Sequence, residues 1–266
     1  MKKVCIFKNE DALTRDIYVV LKEKLASFGY EEAPDLKDGA ELLICIGGDG
    51  TTLQAIHTFD FPAVPIVGIN TGHLGFFQEV VPDQIDTFLT EYDAGEYTLQ
   101  PTTAVQAAVT TNQGVFLYKG FNEIVLRGDY SHSVHFNISI GDSFIERFSG
   151  DGILLANSSG STAYNYSLGG SIVDPRIKAL QVTPIAPMNT TAYRSFTSSI
   201  LLPPDLSLNV VPEYTKNHTT TMVIADGYEH TFTDVKRINA GYSDTVVNLV
   251  RFSNYEFWDK VKTKFL

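Results

Sequence analysis

The chain has 266 residues, of which 44% are hydrophobic and only 19% are charged. This composition is enough for one large core or two moderate cores and excludes an intrinsically disordered chain. The formal net charge of −11 argues against a nucleic-acid-binding protein, which needs a basic face.

The apolar run that follows Met-Lys-Lys is too short for a signal peptide or a membrane span. Both cysteines, Cys5 and Cys45, lie in apolar strand-like runs, where buried inert thiols are commoner than disulfides or metal ligands. We therefore expect a cytoplasmic protein that binds neither nucleic acid nor membrane.

Strands and helices alternate up to about residue 100. Short apolar runs predict strands over residues 3–7, 42–46 and 64–69. An amphipathic stripe ending at Gly29 predicts the first helix, and further helices are expected after Gly50 and after Pro82. This order predicts a Rossmann-like α/β domain over residues 1–100 with a mainly parallel sheet, whose ligands bind beyond the carboxyl ends of the strands.

A glycine-rich turn, Gly47-Gly48-Asp49-Gly50, joins the second of these strands to the next helix. Glycines let a polyphosphate approach main-chain N–H groups, and the helix N-terminus adds unpaired donors and a partial positive charge. A carboxylate repels phosphates, so Asp49 is expected to accept a proton from an attacking hydroxyl or to share a metal with the phosphates. The alternative is an ordinary tight turn with Asp49 near the helix N-cap.

From about residue 100 the hydrophobic pattern changes to a period of two, which predicts a mainly antiparallel β domain over residues 101–251. Predicted strands cover residues 104–109, 115–118, 133–140, 153–156, 199–202, 206–211 and 222–225. The last stretch, 252–266, contains the only tryptophan and predicts a helix that packs back on the first domain.

Six short segments, in this order and at these separations, make the chain resemble NAD kinases of bacterial type. The resemblance covers roughly residues 40–230. The segments are Gly-Gly-Asp-Gly at 47–50, Asn-Thr-Gly-His-Leu-Gly-Phe at 70–76, Asn-Glu at 122–123, Ser-Gly-Asp-Gly-Ile at 149–153, Ser-Ser-Gly-Ser-Thr-Ala-Tyr-Asn-Tyr-Ser-Leu-Gly-Gly at 158–170 and Thr-Pro-Ile-Ala-Pro at 183–187.

The resemblance implies an enzyme that transfers the γ-phosphoryl group of ATP to the 2′-hydroxyl of the adenosine ribose of NAD, giving NADP. It also implies a divalent cation, expected to be Mg²⁺ held mostly by the donor phosphates, and a homodimer or homotetramer. The donor could also be inorganic polyphosphate, because donor contacts in such loops are largely backbone and metal. Whether NADH also serves is left open.

Site residues are implied by the same resemblance. Asp49 would be the general base, with Gly50 close to the phosphates, and Asn122 and Glu123 would bond the ribose hydroxyls at the nicotinamide end. The remaining residues implied to contact the dinucleotide are Ser149, Asp151, Thr162, Ala163, Tyr164, Asn165, Tyr166, Ser167, Ala186 and, more loosely, Asp226.

The chain departs from the family pattern at Ser149, where a basic residue is common. The change removes a cation that could lie against a phosphate or an adenine ring, and Arg147 or Arg127 could compensate. Two other interpretations remain open. The glycine-rich turn is shared with diacylglycerol-type lipid kinases and phosphofructokinases, and a protein that binds NAD(P) without turnover would keep the same pocket.

Overall fold

The chain forms two compact units. A computed structural model describes residues 2–72, 75–129, 132–191, 194–214 and 220–265. The first unit consists of Met1–Thr102 and Val246–Leu266, and the second of Thr103–Thr245.

Strands and mostly short helices follow one another along the chain. In order from the N-terminus they are β1 (Lys2–Lys8), α1 (Ala12–Ser27), β2 (Tyr30–Ala33), β3 (Leu42–Ile46), α2 (Asp49–Thr58), β4 (Ile66–Ile69), β5 (Gln78–Val80), α3 (Ile85–Ala94), β6 (Thr98–Thr110), β7 (Val115–Gly120), β8 (Glu123–Arg127), β9 (Val134–Ile140), β10 (Ser143–Gly150), β11 (Gly152–Ala156), α4 (Tyr164–Ser167), β12 (Leu180–Ile185), β13 (Ile200–Leu202), β14 (Leu208–Pro212), β15 (Thr221–Ala225), β16 (Tyr228–Phe232), β17 (Arg237–Arg251) and α5 (Phe257–Phe265), with 3-10 turns at Leu36–Asp38, Pro82–Gln84 and Gly160–Thr162.

The first unit contains the predicted parallel sheet. β2, β1, β3 and β4 lie side by side in that order, and β5 and the end of β17 both pair with β4, all in parallel. All five residues of β3 are buried, as the continuous apolar run predicts for a strand covered on both faces. The predicted first helix ends before Gly29, which takes a left-handed φ of 79°. The α/β prediction is therefore confirmed.

The end of β17 belongs to the first unit, whereas the sequence predicts the domain boundary at residue 251. Leu249 pairs with Ile66 of β4, so the last part of this strand is hydrogen-bonded into the parallel sheet. Helix α5 follows in the same unit and buries Phe257 and Val261. Trp258 is 51% exposed, so the only tryptophan of the chain does not contribute to the buried side of this helix.

The second unit is almost entirely antiparallel β structure, as predicted. One sheet has six strands in the order β13-β12-β11-β8-β15-β16. Elsewhere in the unit β9 lies between β10 and β14, β14 pairs with the first part of β17, and β6 pairs with β7. The side chains of these strands enclose one apolar cluster in which Phe136 and Phe148 are fully buried.

Candidate active site

The glycine-rich turn leads directly into a helix N-terminus. β3 ends at Ile46, and α2 begins at Asp49. A Cβ at Gly47 would overlap the Thr51 side chain, whereas a Cβ at Gly48 or Gly50 would meet nothing within 4 Å. Within the described part of the chain, no group accepts the N–H of Gly48, Asp49 or Gly50. The turn therefore offers open space and free donors to an anionic group.

The carboxylate of Asp49 is fixed by three donors. The N–H of Phe77 donates to Oδ1 at 2.9 Å, and the N–H of Phe76 donates to Oδ2 at 3.1 Å. The ammonium group of Lys264 also reaches Oδ2, at 3.1 Å. A Cβ at Gly75 would overlap Oδ1. Asp49 is therefore held in one place between its own helix and residues 75–77, rather than capping a turn.

The backbone that donates to Asp49 is itself bound by two cations, the buried Arg251 and the mostly buried Lys260. Arg251 donates to the carbonyl of Phe76 at 3.1 Å and to that of Phe77 at 3.4 Å. Lys260 donates to the carbonyl of Gln78 at 2.5 Å. Burial lowers the pKa of Lys260 to about 8, and the nearby charge of Arg251 contributes in the same direction. These contacts fix the backbone that positions the carboxylate.

The loop after β4 begins with an Asx turn. The side chain of Asn70 accepts from the N–H of Gly72 at 3.0 Å, and the N–H of Asn70 donates to the carbonyl of Val80 at 2.8 Å. His73 and Leu74, which belong to the motif at 70–76, lie outside the described residues.

In the second unit, the Asn122-Glu123 pair occupies a turn that Asp226 holds. The Asp226 carboxylate accepts the N–H groups of Phe121, Asn122 and Glu123, at 2.5, 2.8 and 3.1 Å. Asp226 has a left-handed φ of 47°, and a Cβ at Gly120 would overlap the carbonyl of Glu123. Asp226 therefore contacts the Asn122-Glu123 pair through hydrogen bonds to the main chain of the turn.

Glu123 is a buried acid of this turn. It is only 8% exposed, and Oε2 has no hydrogen-bond partner among the described residues. Burial raises its pKa to about 8, and the Asp226 charge contributes in the same direction. Asn122 beside it is 4% exposed. A buried Asn-Glu pair with an unused oxygen is suited to bind hydroxyl groups of a ligand.

The segment after β11 packs on the same turn, through a residue that sequence reasoning missed. Asn157 donates to the carbonyls of Thr103 and Phe121, at 2.9 and 2.8 Å, and accepts the N–H of Gly160 at 2.9 Å. A Cβ at Gly160 would overlap the carbonyl of Asn122. Residues 157–160 are therefore locked to the Asn-Glu turn.

The residues predicted to line the base pockets follow directly and differ in exposure. Tyr164 and Tyr166 are 41% and 39% exposed. Thr162 and Ala163 are half-buried, and Ser167 is exposed. Asn165 has no exposed surface, and its side chain accepts from the hydroxyl of Thr183 at 2.6 Å.

Ser149, Asp151 and Ala186 form a separate group. The N–H of Asp151 donates to the carbonyl before Ala186 at 2.9 Å, and Ala186 is exposed with a φ of 43°. Ser149 is fully buried, and its hydroxyl contacts Nδ1 of His135 at 2.9 Å. Asp151 precedes β11 whereas Asn157 follows it, so the length of that strand separates this group from the Asn-Glu turn.

Arg147, which could replace the missing cation at position 149, is bound elsewhere. Its Nε donates to Glu213 at 2.8 Å. Within the described ranges, no group of three or more His, Cys, Asp or Glu side chains could hold a metal ion. The described helices include none that is long and apolar enough to cross a membrane.

The first unit has a fixed carboxylate beside open N–H donors at a helix N-terminus, and the second unit has a buried Asn-Glu turn. These features suit a kinase that acts on a hydroxyl group. The family models agree. Residues 11–97 match the ATP-NAD kinase N-terminal domain, and residues 121–252 match the ATP-NAD kinase C-terminal domain. The chain belongs to the ATP-NAD kinase family.

Proteins similar to this chain along its full length carry the name NAD kinase. One from Finegoldia magna is 35% identical over 271 residues, which cover 100% of this chain and 98% of that protein. One from Lactobacillus gasseri is 30% identical and covers 99% of this chain and 97% of that protein. The predicted resemblance is confirmed, and the lipid-kinase and phosphofructokinase interpretations are set aside.

Two solved structures share the fold. A yeast NADH kinase complexed with NADH gives a TM-score of 0.85 at 21% identity, covering 100% of this chain and 87% of that one. An NAD kinase from Archaeoglobus fulgidus in complex with ATP gives a TM-score of 0.76 at 22% identity, covering 99% of each. The two-domain prediction of an α/β part followed by an antiparallel β part is the fold of these proteins.

Proposed function

We propose that this chain transfers the γ-phosphoryl group of ATP to the 2′-hydroxyl of the adenosine ribose of NAD, giving NADP, with Asp49 as the general base. The observation that carries the proposal is the Asp49 carboxylate, held by the N–H groups of Phe76 and Phe77 at the start of α2. Membership of the ATP-NAD kinase family supports the choice of substrate.

Asp49 acts on the attacking hydroxyl. Phosphoryl transfer passes through a loose transition state, so the protein mainly positions the reactants, neutralises charge and accepts a proton. The carboxylate takes the proton of the 2′-hydroxyl as the ribose oxygen bonds to phosphorus and the bond to the ADP oxygen breaks. Because its donors are already fixed, the carboxylate does not have to reorient during that step.

The donor phosphates lie at the N-terminus of α2. Among the described residues, no group accepts the N–H groups of Gly48, Asp49 and Gly50. This supports the assignment, because helix N-termini bind anions through unpaired donors and the helix dipole. ATP is the proposed donor, and inorganic polyphosphate would present the same groups to the same donors. Asp49 is a single carboxylate, so the phosphates would have to supply most of the oxygen ligands of Mg²⁺. This arrangement suits Mg²⁺, which binds one or two carboxylates together with substrate phosphates. The ion would neutralise charge that develops on the transferred group.

The dinucleotide binds residues of the second unit. Asn122 and Glu123 accept or donate to the ribose hydroxyls at the nicotinamide end, and the unused Oε2 of Glu123 supports this role. Tyr164 stacks on a base, which its exposure permits. Thr162, Ala163, Tyr166 and Ser167 line the adenine and nicotinamide pockets beside it. Asp226 acts through the backbone of the Asn-Glu turn.

Two residues of the predicted set have a different proposed role. Ser149 and Asn165 have no exposed surface, so we assign them to support the binding residues rather than to touch the ligand. Asn165 fixes α4 through Thr183, and Ser149 fixes β10 through His135 and Ser195.

We also propose that the protein is a homodimer or homotetramer. Asp151 and Ala186 are expected at the nicotinamide, yet β11 separates them from the Asn-Glu turn in one chain. A second copy of the chain can supply them. Co-expression of D49N with D151N tests this, because a shared site leaves one complete site in the mixed dimer. Recovered activity supports the assembly, and light scattering gives the number of chains.

The proposed location is the cytoplasm. Cys5 and Cys45 are both free, buried thiols, as is usual in a reducing compartment. Fractionation of cells that produce the protein would test this location.

The experiment that tests the activity is NADP formation by the purified protein with NAD, ATP and Mg²⁺, beside D49N and a reaction without donor. General-base assistance is worth about 10²–10⁴-fold, so D49N should lose about that factor in kcat while NAD still binds by calorimetry. If the wild type makes no NADP, polyphosphate and NADH are tried in place of ATP and NAD. Binding without any product would overturn the kinase in favour of a protein that binds NAD without turnover.

A further inference from the structure

Helix α5 presents two lysines, one turn apart, to the segment that positions Asp49. Residues four apart on a helix share a face. Lys260 is mostly buried and binds the carbonyl of Gln78, with Glu79 at 3.8 Å. Lys264 is more exposed and reaches the Asp49 carboxylate itself. The two side chains therefore have different surroundings, and only Lys264 touches the proposed base.

The hydrogen bonds of Asp49 are distributed unequally between its two oxygens. A carboxylate has about four acceptor sites, two on each oxygen. On Oδ2 both sites are filled, by the N–H of Phe76 and by Lys264. On Oδ1 the described residues fill one site, through the N–H of Phe77. A general base needs a vacant site, and Oδ1 is the oxygen that the described residues leave with one.

We propose that Lys264 is a positioning residue, which orients the Asp49 carboxylate so that Oδ1 is the oxygen that takes the substrate proton. The proposal rests on the proposed function, in which Asp49 is the general base. The proton moves from the 2′-hydroxyl to Oδ1, the ribose oxygen bonds to the γ-phosphorus, and the electron pair of the broken P–O bond leaves with ADP.

The surroundings of Lys264 suit this role. Its ammonium group lies 4.9 Å from the centre of the Phe76 ring, and a cation over an aromatic face is attracted to it. The ring and the carboxylate together restrict the Lys264 side chain. The lysine charge also offsets the repulsion between Asp49 and incoming donor phosphates. Lys264 and Asp49 are 215 positions apart in the sequence, so no local motif links them.

The test compares four variants: K264Q, K264R, K262Q and K264Q in the D49N background. Lys262 is an exposed lysine of the same helix and serves as the matched control. We expect K264Q to lower kcat about tenfold, a factor within the range of coupling between two residues in contact. KM for NAD should stay within about twofold of the wild-type value. K264R should recover most of the rate, and K262Q should match wild type. Melting temperatures of K264Q and K262Q should agree.

The D49N background separates positioning from other effects. If Lys264 acts through Asp49, K264Q has no further effect on the residual rate of D49N. The proposal is overturned if K264Q matches wild type, if it slows D49N by the same factor, or if it changes only KM for ATP, which would make Lys264 a ligand of the donor. A wild-type rate in D49N overturns the proposed function itself, whereas a slow D49N with a normal K264Q overturns only the role of Lys264.

Discussion

Glu79 and Arg251 form a buried ion pair, with Oε2 and Nη1 at 2.9 Å and side chains that are 2% and 5% exposed. Glu79 also accepts the N–H of Phe252 at 3.1 Å. Arg251 donates in addition to the carbonyls of Phe76 and Phe77. The pair therefore connects the last strand to the backbone that holds the Asp49 carboxylate.

Removing the charge of Glu79 should destabilise the protein strongly. E79Q keeps the size of the side chain but leaves Arg251 buried without a counter-charge, which typically costs about 3–5 kcal/mol. Urea unfolding of E79Q and wild type measures the difference in free energy of unfolding. E10Q is the control, because Glu10 pairs with Lys8 on the surface and is 79% exposed. Equal midpoints for E79Q and wild type would show that the buried pair does not stabilise the unit.

A side chain at Gly75 should impair catalysis with little effect on NAD affinity. The Cβ of G75A would overlap Oδ1 of Asp49, and a shift of about 1 Å in a catalytic group can cost about 10²-fold in rate. We expect kcat to fall at least tenfold on that basis. G72A is the control, since a Cβ there meets nothing within 4 Å. Steady-state rates and NAD calorimetry on both variants measure kcat and NAD affinity. A normal kcat in G75A would contradict the claim that catalysis needs the Asp49 carboxylate in its fixed position.

Hydrophobic pattern predicted strands whose apolar residues form an uninterrupted run. The run at 42–46 is buried at every residue and matches β3 from end to end. β12 was not predicted although it is buried at every residue, because the polar residues Gln181 and Thr183 interrupt its apolar run. β10 was not predicted because Phe144 and Ile145 are exposed and a register shift follows Phe144, so its apolar residues do not alternate. β16 was missed for a similar reason, since it lies at the sheet edge with no buried residue.

The residues of the candidate site likewise fall into those that the sequence predicted and those that it did not. Asp49 and the Asn122-Glu123 pair were found because each carries a local motif. Lys264 donates to Asp49 from 215 positions away, and Asn157 holds the Asn-Glu turn through main-chain carbonyls. Neither contact leaves a local pattern, because pairs distant in sequence meet only through the fold. The role of each residue in catalysis or binding stays a prediction.

D226N should loosen the Asn-Glu turn. The Asp226 carboxylate accepts three N–H groups, and hydrogen bonds to a charged acceptor contribute about 1.5–3 kcal/mol each. Asn tolerates the left-handed backbone of this position, so the change removes charge without backbone strain. We expect a lower melting temperature and a higher KM for NAD. D205N, at an exposed aspartate of the same unit, should change neither. A normal KM for NAD in D226N would show that Asp226 does not contribute to substrate binding.

Glu123 should make the stability of the protein depend on pH. Its pKa rises from an ordinary 4.5 to about 8 in the folded chain, chiefly through burial. Between these values the unfolded chain has lost the Glu123 proton while the folded chain keeps it, so the unfolded state binds fewer protons. The free energy of unfolding therefore decreases as the pH rises from about 4.5 to about 8. A raised carboxyl pKa gives stability that is present in acid and lost towards pH 8.

E123Q removes this titration while keeping an uncharged side chain of the same size. The free energy of unfolding of E123Q relative to wild type should increase steadily from pH 5 to pH 8, because only wild type must keep or lose a buried proton. Denaturant unfolding at intervals across that range measures the difference. E229Q, at an exposed glutamate of the same unit, is the control for the loss of an ionisable carboxyl group that is not buried. If the difference between E123Q and wild type were constant with pH, Glu123 would titrate alike in the folded and unfolded chains.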